Sequence, residues 1–162
     1  MKLKQRVGDF RVRELLRRDY LASEGEHRVY RVTKRKLTSD EAVKALAHEA
    51  GVENGEVAIA VLKDRQGLTI QYMSVARGRE VKLTTAELSI EPAGFARTAL
   101  TSEDSLGNAF ELTVREAEWE LVACGRVDAI TFDGTVPGPT IRVTEGDTVE
   151  VVVRNDLKET TS

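Results

Sequence analysis

The sequence has few of the residues that build disulfide bonds and transition-metal sites. It contains one cysteine, Cys124, and two histidines, His27 and His48, among 162 residues. A single cysteine cannot form a disulfide bond within its own chain, and the two histidines lack the spacing of a metal-binding motif. We therefore expect neither a bound metal nor another cofactor.

Long apolar runs are also missing. The N-terminal segment MKLKQRVGDFRVRELLRR has no apolar stretch of the kind found in signal peptides. No other stretch approaches the roughly 20 apolar residues of a transmembrane helix. With 41% hydrophobic and 31% charged residues, the composition is that of an ordinary globular domain large enough to bury a core. These observations predict a cytoplasmic protein that does not bind a membrane.

Charge is unevenly distributed along the chain. The net charge is -3, but residues 1–36 contain 12 Lys+Arg and 5 Asp+Glu, whereas residues 116–162 contain 4 and 10. A basic region can follow a nucleic-acid backbone, because neutralised phosphates release counterions. The solvated face of an unrelated domain explains the same charge equally well, so charge alone does not identify a partner.

The stretch from Val57 to Val75 predicts two strands joined by a charged turn. Residues 57–62 form a short apolar run, and residues 68–75 alternate with the period of a strand. Lys63, Asp64 and Arg65 lie between these strands. A carboxylate held between two cations stays ionised and can act as a nucleophile without a metal. The same local pattern is more often a solvated hairpin turn.

The remaining pattern predicts an α+β fold with one main helix. Thr38 and Glu41 have the spacing of a capping box, which predicts a helix from there to about Ala50 with Gly51 as its left-handed end. Other strands are expected around 10–12, 27–34, 86–90 and 109–114, with Pro92 and Gly94 ending the third of these.

Four stretches, in order, resemble the tRNA pseudouridine synthase D (TruD) family. The central one is AxLKDRQGLTxQ, which contains Asp64. The others are Lys4 followed by GDFRVRE at 8–14, Gly25-Glu26-His27 with Thr33-Lys34, and Gly107-Asn108-Ala109-Phe110. The resemblance covers about residues 1–115. This chain differs from the family pattern at Val61, where the family usually has glycine, and at Ser105-Leu106, where a basic residue is common.

The resemblance implies a pseudouridine-synthase-like mixed sheet and a site that acts on tRNA. In this family Asp64 would be the catalytic nucleophile, and the target uridine would have to leave its stack. The other implied site residues would contact the uridine, position phosphate or tune Asp64: Phe10, Asn108, Phe110, Lys4, Lys63 and Arg65. Packing in the hydrophobic core is the alternative role for Phe10 and Phe110.

From about residue 116 the sequence resembles the first strands of a cupredoxin domain of a multicopper oxidase or copper nitrite reductase. The resemblance rests on TFDGTVPGPTIRV at 131–143 and EGDTVEV at 145–151. It predicts a β-rich extension with strands at 140–144 and 148–155. No histidine follows His48, so this region lacks the imidazole ligands that copper requires.

Together the two resemblances predict two regions. Residues 1–115 would be a partial TruD-like catalytic domain, and residues 116–162 a truncated cupredoxin-like β segment. The expected function is conversion of uridine to pseudouridine in tRNA, with truncation as a reason for inactivity. The alternatives are a non-catalytic chimeric RNA-binding remnant and a multicopper-oxidase-like fragment without copper ligands. Exposed strand edges predict either docking of residues 149–153 onto the region 109–123 or formation of a homodimer.

Overall fold

The computed structural model describes residues 10–63, 67–121 and 125–160. Within these ranges it contains one α-helix, α1 (Ser39–Ala50), and nine strands, which are β1 (Arg11–Leu16), β2 (His27–Arg35), β3 (Val57–Ile59), β4 (Leu68–Val75), β5 (Leu83–Thr84), β6 (Leu88–Ala96), β7 (Ser105–Leu121), β8 (Gly125–Phe132) and β9 (Thr148–Asn155). The strands form one sheet in the order β5-β6-β2-β4-β1-β7-β8, with β3 paired to β4 and β9 paired to β7. The β1–β4 and β7–β9 pairs are parallel and the others antiparallel, which confirms a mixed sheet with one main helix.

Helix α1 begins and ends as its sequence predicts. The Thr38 hydroxyl accepts a hydrogen bond from the Glu41 amide at 3.2 Å, and the Glu41 carboxylate accepts one from the Thr38 amide at 2.7 Å. At the other end, Gly51 has φ 74° and its amide donates to the Ala47 carbonyl. The capping box and the left-handed glycine together satisfy backbone groups that a helix end otherwise leaves unpaired.

The hydrophobic core lies on both faces of the sheet around β2, β4 and β6. On one face, Leu46 and its neighbours in α1 pack against Tyr30, Val32 and Met73. On the other face, Val29 packs against Tyr20, Ala96 and Leu100. The opposite placement of Val29 and Tyr30 follows from the two-residue period of β2 and confirms the alternation read from the sequence.

Two predicted strand boundaries are wrong. The strand predicted at 57–62 ends at Ile59. Strands β3 and β1 pair with the same edge of β4, and β1 already occupies that edge from Leu68 to Ile70, so β3 cannot extend along it. The strand predicted to end before Pro92 instead continues to Ala96 as β6. A register shift at Val29/Tyr30 places one extra β6 residue there, and such a bulge tolerates proline.

Strand β7 is longer than predicted and supports the C-terminal region. It runs from Ser105 to Leu121, well beyond the predicted end at 114. Strand β8 pairs with its second half and β9 with its first half. The carbonyl of Thr113 accepts from the Asp133 amide and that of Val114 from the Asp156 amide. Because successive carbonyls of a strand point to opposite edges, β8 and β9 lie on opposite edges of β7.

Residues 149–153 dock onto β7, which is one of the two alternatives predicted from the sequence. The close approach requires glycine at Gly107, where φ is 133° and an added Cβ would collide with the Thr148 backbone.

The strand predicted at 140–144 does not form. That segment pairs with no strand of the described chain, and Pro137 and Pro139 just before it cannot donate ladder hydrogen bonds. No helix in the described ranges is long and apolar enough to cross a membrane.

Candidate active site

A cavity of about 250 Å³ lies beside the N-terminal end of α1, on the same face of the sheet. Its walls come from β1, the loop after β3, the start of β4, β7 and the segment before β9. The lining residues are Phe10, Val12, Val61, Leu62, Lys63, Thr69, Asn108, Phe110, Thr140, Arg142, Val143, Thr144 and Asp147. The volume is below the roughly 300–1,000 Å³ of typical small-molecule sites, so the cavity fits a small ligand or one part of a larger one.

The Lys63 side chain is buried in the wall of this cavity between two polar groups. Its ammonium donates a hydrogen bond to Asn108 Oδ1 at 2.5 Å, and its Nζ lies 3.9 Å from Glu14 Oε1. Glu14 is 2% exposed, and its other oxygen accepts a hydrogen bond from the Tyr72 amide at 2.8 Å. Contacts from β1 and β7 therefore fix both the direction and the charge environment of the cation.

The backbone of Lys63 is held as firmly as its side chain. Its amide donates to Ser39 Oγ at 2.9 Å, and its carbonyl accepts from Lys34 Nζ at 3.1 Å. Ser39 Oγ also lies 2.9 Å from Gln71 Oε1. Lys34, Ser39 and Gln71 are each at most 2% exposed. Contacts with β2, α1 and β4 therefore set the position of the Lys63 backbone.

Burial shifts the pKa values of both charged partners. Burial raises the pKa of Glu14 from its ordinary value of 4.5, although the Tyr72 amide and Lys63 oppose the shift. Burial likewise lowers the pKa of Lys63 from its ordinary value of 10.5, and the charges of Glu14 and Asp147 oppose this. Each charge is thus costly in this low-dielectric position and depends on the other for compensation.

Two phenylalanines form an aromatic wall of the cavity. The rings of Phe10 and Phe110 stack with centroids 6.3 Å apart and an interplanar angle of 19°. Phe110 is 4% exposed, so most of its surface packs in the protein interior. Each ring packs against the other and also lines the cavity, so the arrangement is compatible with either of the two proposed roles.

The segment from Thr140 to Asp147 covers one side of the cavity. It contributes a cation at Arg142 and a carboxylate at Asp147, whose charge opposes the lowering of the Lys63 pKa by burial. Thr144 and Asp147 hydrogen-bond to each other at 3.0 Å in both directions. Sequence patterns predicted a strand at 140–144 followed by a turn at 145–147 and gave no indication that this segment would lie at the site.

The structure brings together four of the seven residues that the sequence proposed for the site: Phe10, Lys63, Asn108 and Phe110. The other three, Lys4, Asp64 and Arg65, lie outside the described residues. Sequence reasoning missed the residues that support Lys63. Glu14, Lys34 and Gln71 stood inside the family-like stretches without an assigned role, whereas Ser39 was marked only by its position beside the helix cap.

The family model of tRNA pseudouridine synthase D (TruD) matches residues 1–135. The chain belongs to the TruD family. The match extends about 20 residues beyond the limit near 115 that the motifs suggested, and so includes all of β7 and β8.

Named relatives agree with this assignment over part of their length. The chain is 32% identical over 114 residues to tRNA pseudouridine synthase D of Leptospira interrogans, covering 70% of this chain and 28% of that protein. It is 33% identical over 133 residues to the corresponding protein of Legionella pneumophila strain Corby, covering 78% and 38%. The crystal structure of the TruD protein from Methanosarcina mazei matches with a TM-score of 0.60 and 25% identity, covering 65% of this chain and 25% of that one. The chain thus spans about a quarter to two fifths of the length of these relatives.

A second family model, that of multicopper oxidases, matches residues 113–162. Both models therefore include the end of β7 and all of β8. In the structure this region continues the TruD-like sheet through β7, and a separate cupredoxin fold is not confirmed.

Proposed function

We propose that this chain converts uridine to pseudouridine in tRNA, at the cavity formed by Lys63, Asn108 and the two stacked phenylalanines. The observation that carries the proposal is the immobilisation of Lys63, whose backbone and side chain are both fixed at the cavity wall. Asp64 follows Lys63 directly in the sequence. A nucleophile is effective only when its position is set before the substrate arrives, and the contacts of Lys63 supply that constraint. The proposed location is the cytoplasm, where tRNA is found.

Each neighbouring group has a part in the proposed reaction. A uridine that leaves its stack would place its base against the Phe10–Phe110 wall, since aromatic rings bind the faces of unstacked bases. Asn108 presents its Oδ1 to Lys63, which turns its Nδ2 away from the cation. That Nδ2 would donate to a carbonyl of the base. The Asp64 carboxylate would bond to C1′ of the ribose as the bond between N1 and C1′ breaks. C5 of the reoriented base would then bond to C1′ and displace the carboxylate, after which the C5 proton is lost and N1 takes up a proton.

The basic N-terminal third supports RNA as the partner. Residues 1–36 carry 12 Lys+Arg against 5 Asp+Glu. We propose that this region contacts the tRNA backbone. Its binding should then weaken as salt rises, because phosphate contacts release counterions.

The loss of the C5 hydrogen provides the test of catalysis. In tRNA tritiated at C5 of uridine, the wild-type chain should release tritium, and Asp64→Asn should reduce release to background while retaining tRNA binding. Asp128→Asn, an exposed change on β8, is the matched control and should release tritium like the wild type. Equal release by Asp64→Asn would remove Asp64 from the mechanism. Binding by the wild-type chain without any release would instead support the non-catalytic RNA-binding alternative.

A further inference from the structure

Strand β9 presents an unpaired apolar edge to solvent. It pairs with β7 along one edge only, and no other strand in the described ranges pairs with it. All eight of its residues are exposed, and the exposed fractions of its four valines are 43% for Val149, 47% for Val151, 48% for Val152 and 54% for Val153. An exposed, valine-rich edge is a template for pairing with another strand.

The direction of the backbone groups fixes which residues can make that pairing. The Asp156 amide donates to the Val114 carbonyl of β7 at 2.9 Å. Backbone groups of a strand alternate between its two edges, so the even-numbered residues of β9 face β7. The amides and carbonyls of Val149, Val151, Val153 and Asn155 therefore point outward.

The charges of β9 are arranged symmetrically about Val152. Glu150 and Arg154 lie two residues to either side of it. If two β9 strands pair antiparallel with Val152 opposite Val152, each Glu150 lies opposite the Arg154 of the other strand. Val151 and Val153 then form hydrogen-bonded pairs through their outward backbone groups, while Glu150 and Arg154 form the closer, non-hydrogen-bonded pairs.

Neighbouring registers lack this complementarity. A register centred on Val153 places Glu150 opposite Asp156, which are like charges, and one centred on Val151 places Arg154 opposite Thr148. Registers shifted by one residue would bring inward-facing backbone groups of one strand against outward-facing groups of the other. Only the register centred on Val152 satisfies both the hydrogen bonds and the charges.

We propose that β9 is a self-association surface, at which two copies of this chain join their sheets antiparallel through β9 in the register centred on Val152. Within one chain, Glu150 lies 3.9 Å from Arg13 and Arg154 lies 3.4 Å from Glu111. These ion pairs are between about a third and two thirds exposed, so they contribute little stability and adjust easily to a second copy. The proposal is independent of the catalytic function.

Exchanging the charges of Glu150 and Arg154 tests the register of the proposed dimer. Sedimentation of the full chain over a concentration series should show a monomer–dimer equilibrium. Glu150→Arg should raise the dimer Kd about tenfold or more, because it creates two like-charge pairs per dimer. Adding Arg154→Glu should restore the Kd because opposite charges again meet across the dimer, although Arg13 and Glu111 each then lie beside a like charge within the chain. Glu91→Arg, which breaks the exposed ion pair with Arg31 on β2, is the matched control and should not change the Kd.

Three results would overturn the proposal: a wild-type chain that stays monomeric at every concentration, an unchanged Kd for Glu150→Arg, or no restoration by the double variant. Amide exchange of the wild-type chain gives a test that needs no mutation. The amides of Val149, Val151 and Val153 should become protected as concentration rises, whereas those of Val152 and Arg154 are already bonded to β7. Concentration-independent exchange of Val151 and Val153 would also overturn it.

Discussion

At the scale of single residues, Lys63 is the centre of the site. Four side chains from four different elements hold it: Glu14 from β1, Lys34 from β2, Ser39 from α1 and Asn108 from β7. Because these elements meet only in the folded sheet, the position of Lys63 depends on several distant segments of the chain. A change in Glu14, Lys34 or Ser39, none of which lines the cavity, should disturb the site without touching the substrate.

The buried carboxyl of Glu14 predicts a pH-dependent stability. Its pKa in the folded protein is raised above 4.5, so the folded state binds this proton more tightly than the unfolded state. Its stabilising contribution is therefore complete below pH 4.5 and is lost as pH rises toward the folded pKa. The variant Glu14→Gln has no carboxyl that titrates at this position. As pH rises above 4.5, the free energy of unfolding of the wild type should therefore fall relative to that of the variant. The slope should not exceed about 1.4 kcal/mol per pH unit for one proton.

Urea unfolding at intervals between pH 4 and pH 8 measures that difference. Glu103→Gln, at an exposed position, is the control and should follow the wild type at every pH. A constant difference between Glu14→Gln and the wild type across this range would contradict the prediction.

At the scale of elements, α1 links helix capping to the site. The Thr38 cap lies next to Ser39, whose hydroxyl accepts the Lys63 amide proton. The start of the helix therefore determines where a wall of the cavity lies. By contrast, the predicted end of β6 at Pro92 was wrong because a bulge accommodates the proline, and a bulge depends on the partner strand rather than on local sequence.

Removal of the cap should cost stability. Thr38→Ala deletes the hydroxyl that accepts from the Glu41 amide, and the free energy of unfolding should fall by about 1 kcal/mol. Thr38→Ser keeps the hydroxyl and should remain close to the wild type. Chemical denaturation of the three proteins measures the effect. A loss of the same size in both variants would show that the methyl group, and not the cap, is what matters.

At the scale of the whole molecule, the core around β2, β4 and β6 contains many more buried residues than the C-terminal extension that begins near residue 116. Both core clusters lie on and around β2, β4 and β6, whereas β8 contributes one buried residue, Thr131, and is otherwise largely exposed. The extension is attached mainly through hydrogen bonds to β7, including those of Asp133 with Thr113. Regions with exposed hydrogen bonds and few buried apolar contacts open most easily.

Strand β8 should therefore open before the core strands β2, β4 and β6. Native-state amide exchange in low denaturant should give a smaller opening free energy for residues 126–131 than for Val29–Val32 of β2. The β2 amides are the internal reference, because they lie between two strands and beneath α1. Equal opening free energies in β8 and β2 would mean that the extension and the core unfold as one unit.

The division into regions 1–115 and 116–162 remains a prediction. Strand β7 crosses residue 115 without interruption, and the two family models overlap from 113 to 135. If β8 opens independently of the core, the energetic boundary would lie after β7 and not within it. The exchange experiment therefore also tests where one region ends.

Local sequence determined the features that depend on neighbouring residues. The capping box at Thr38, the left-handed Gly51, the alternation of β2 and β4 and the α+β class all follow from short-range patterns, and the family-like stretches identified Phe10, Lys63, Asn108 and Phe110 as one site. Only the tertiary structure placed Glu14, Lys34 and Ser39 around Lys63, carried β6 through Pro92, and laid the Thr140–Asp147 segment over the cavity. These depend on which strands become neighbours, and pairing between distant segments is set by the burial and hydrogen bonding of the whole sheet.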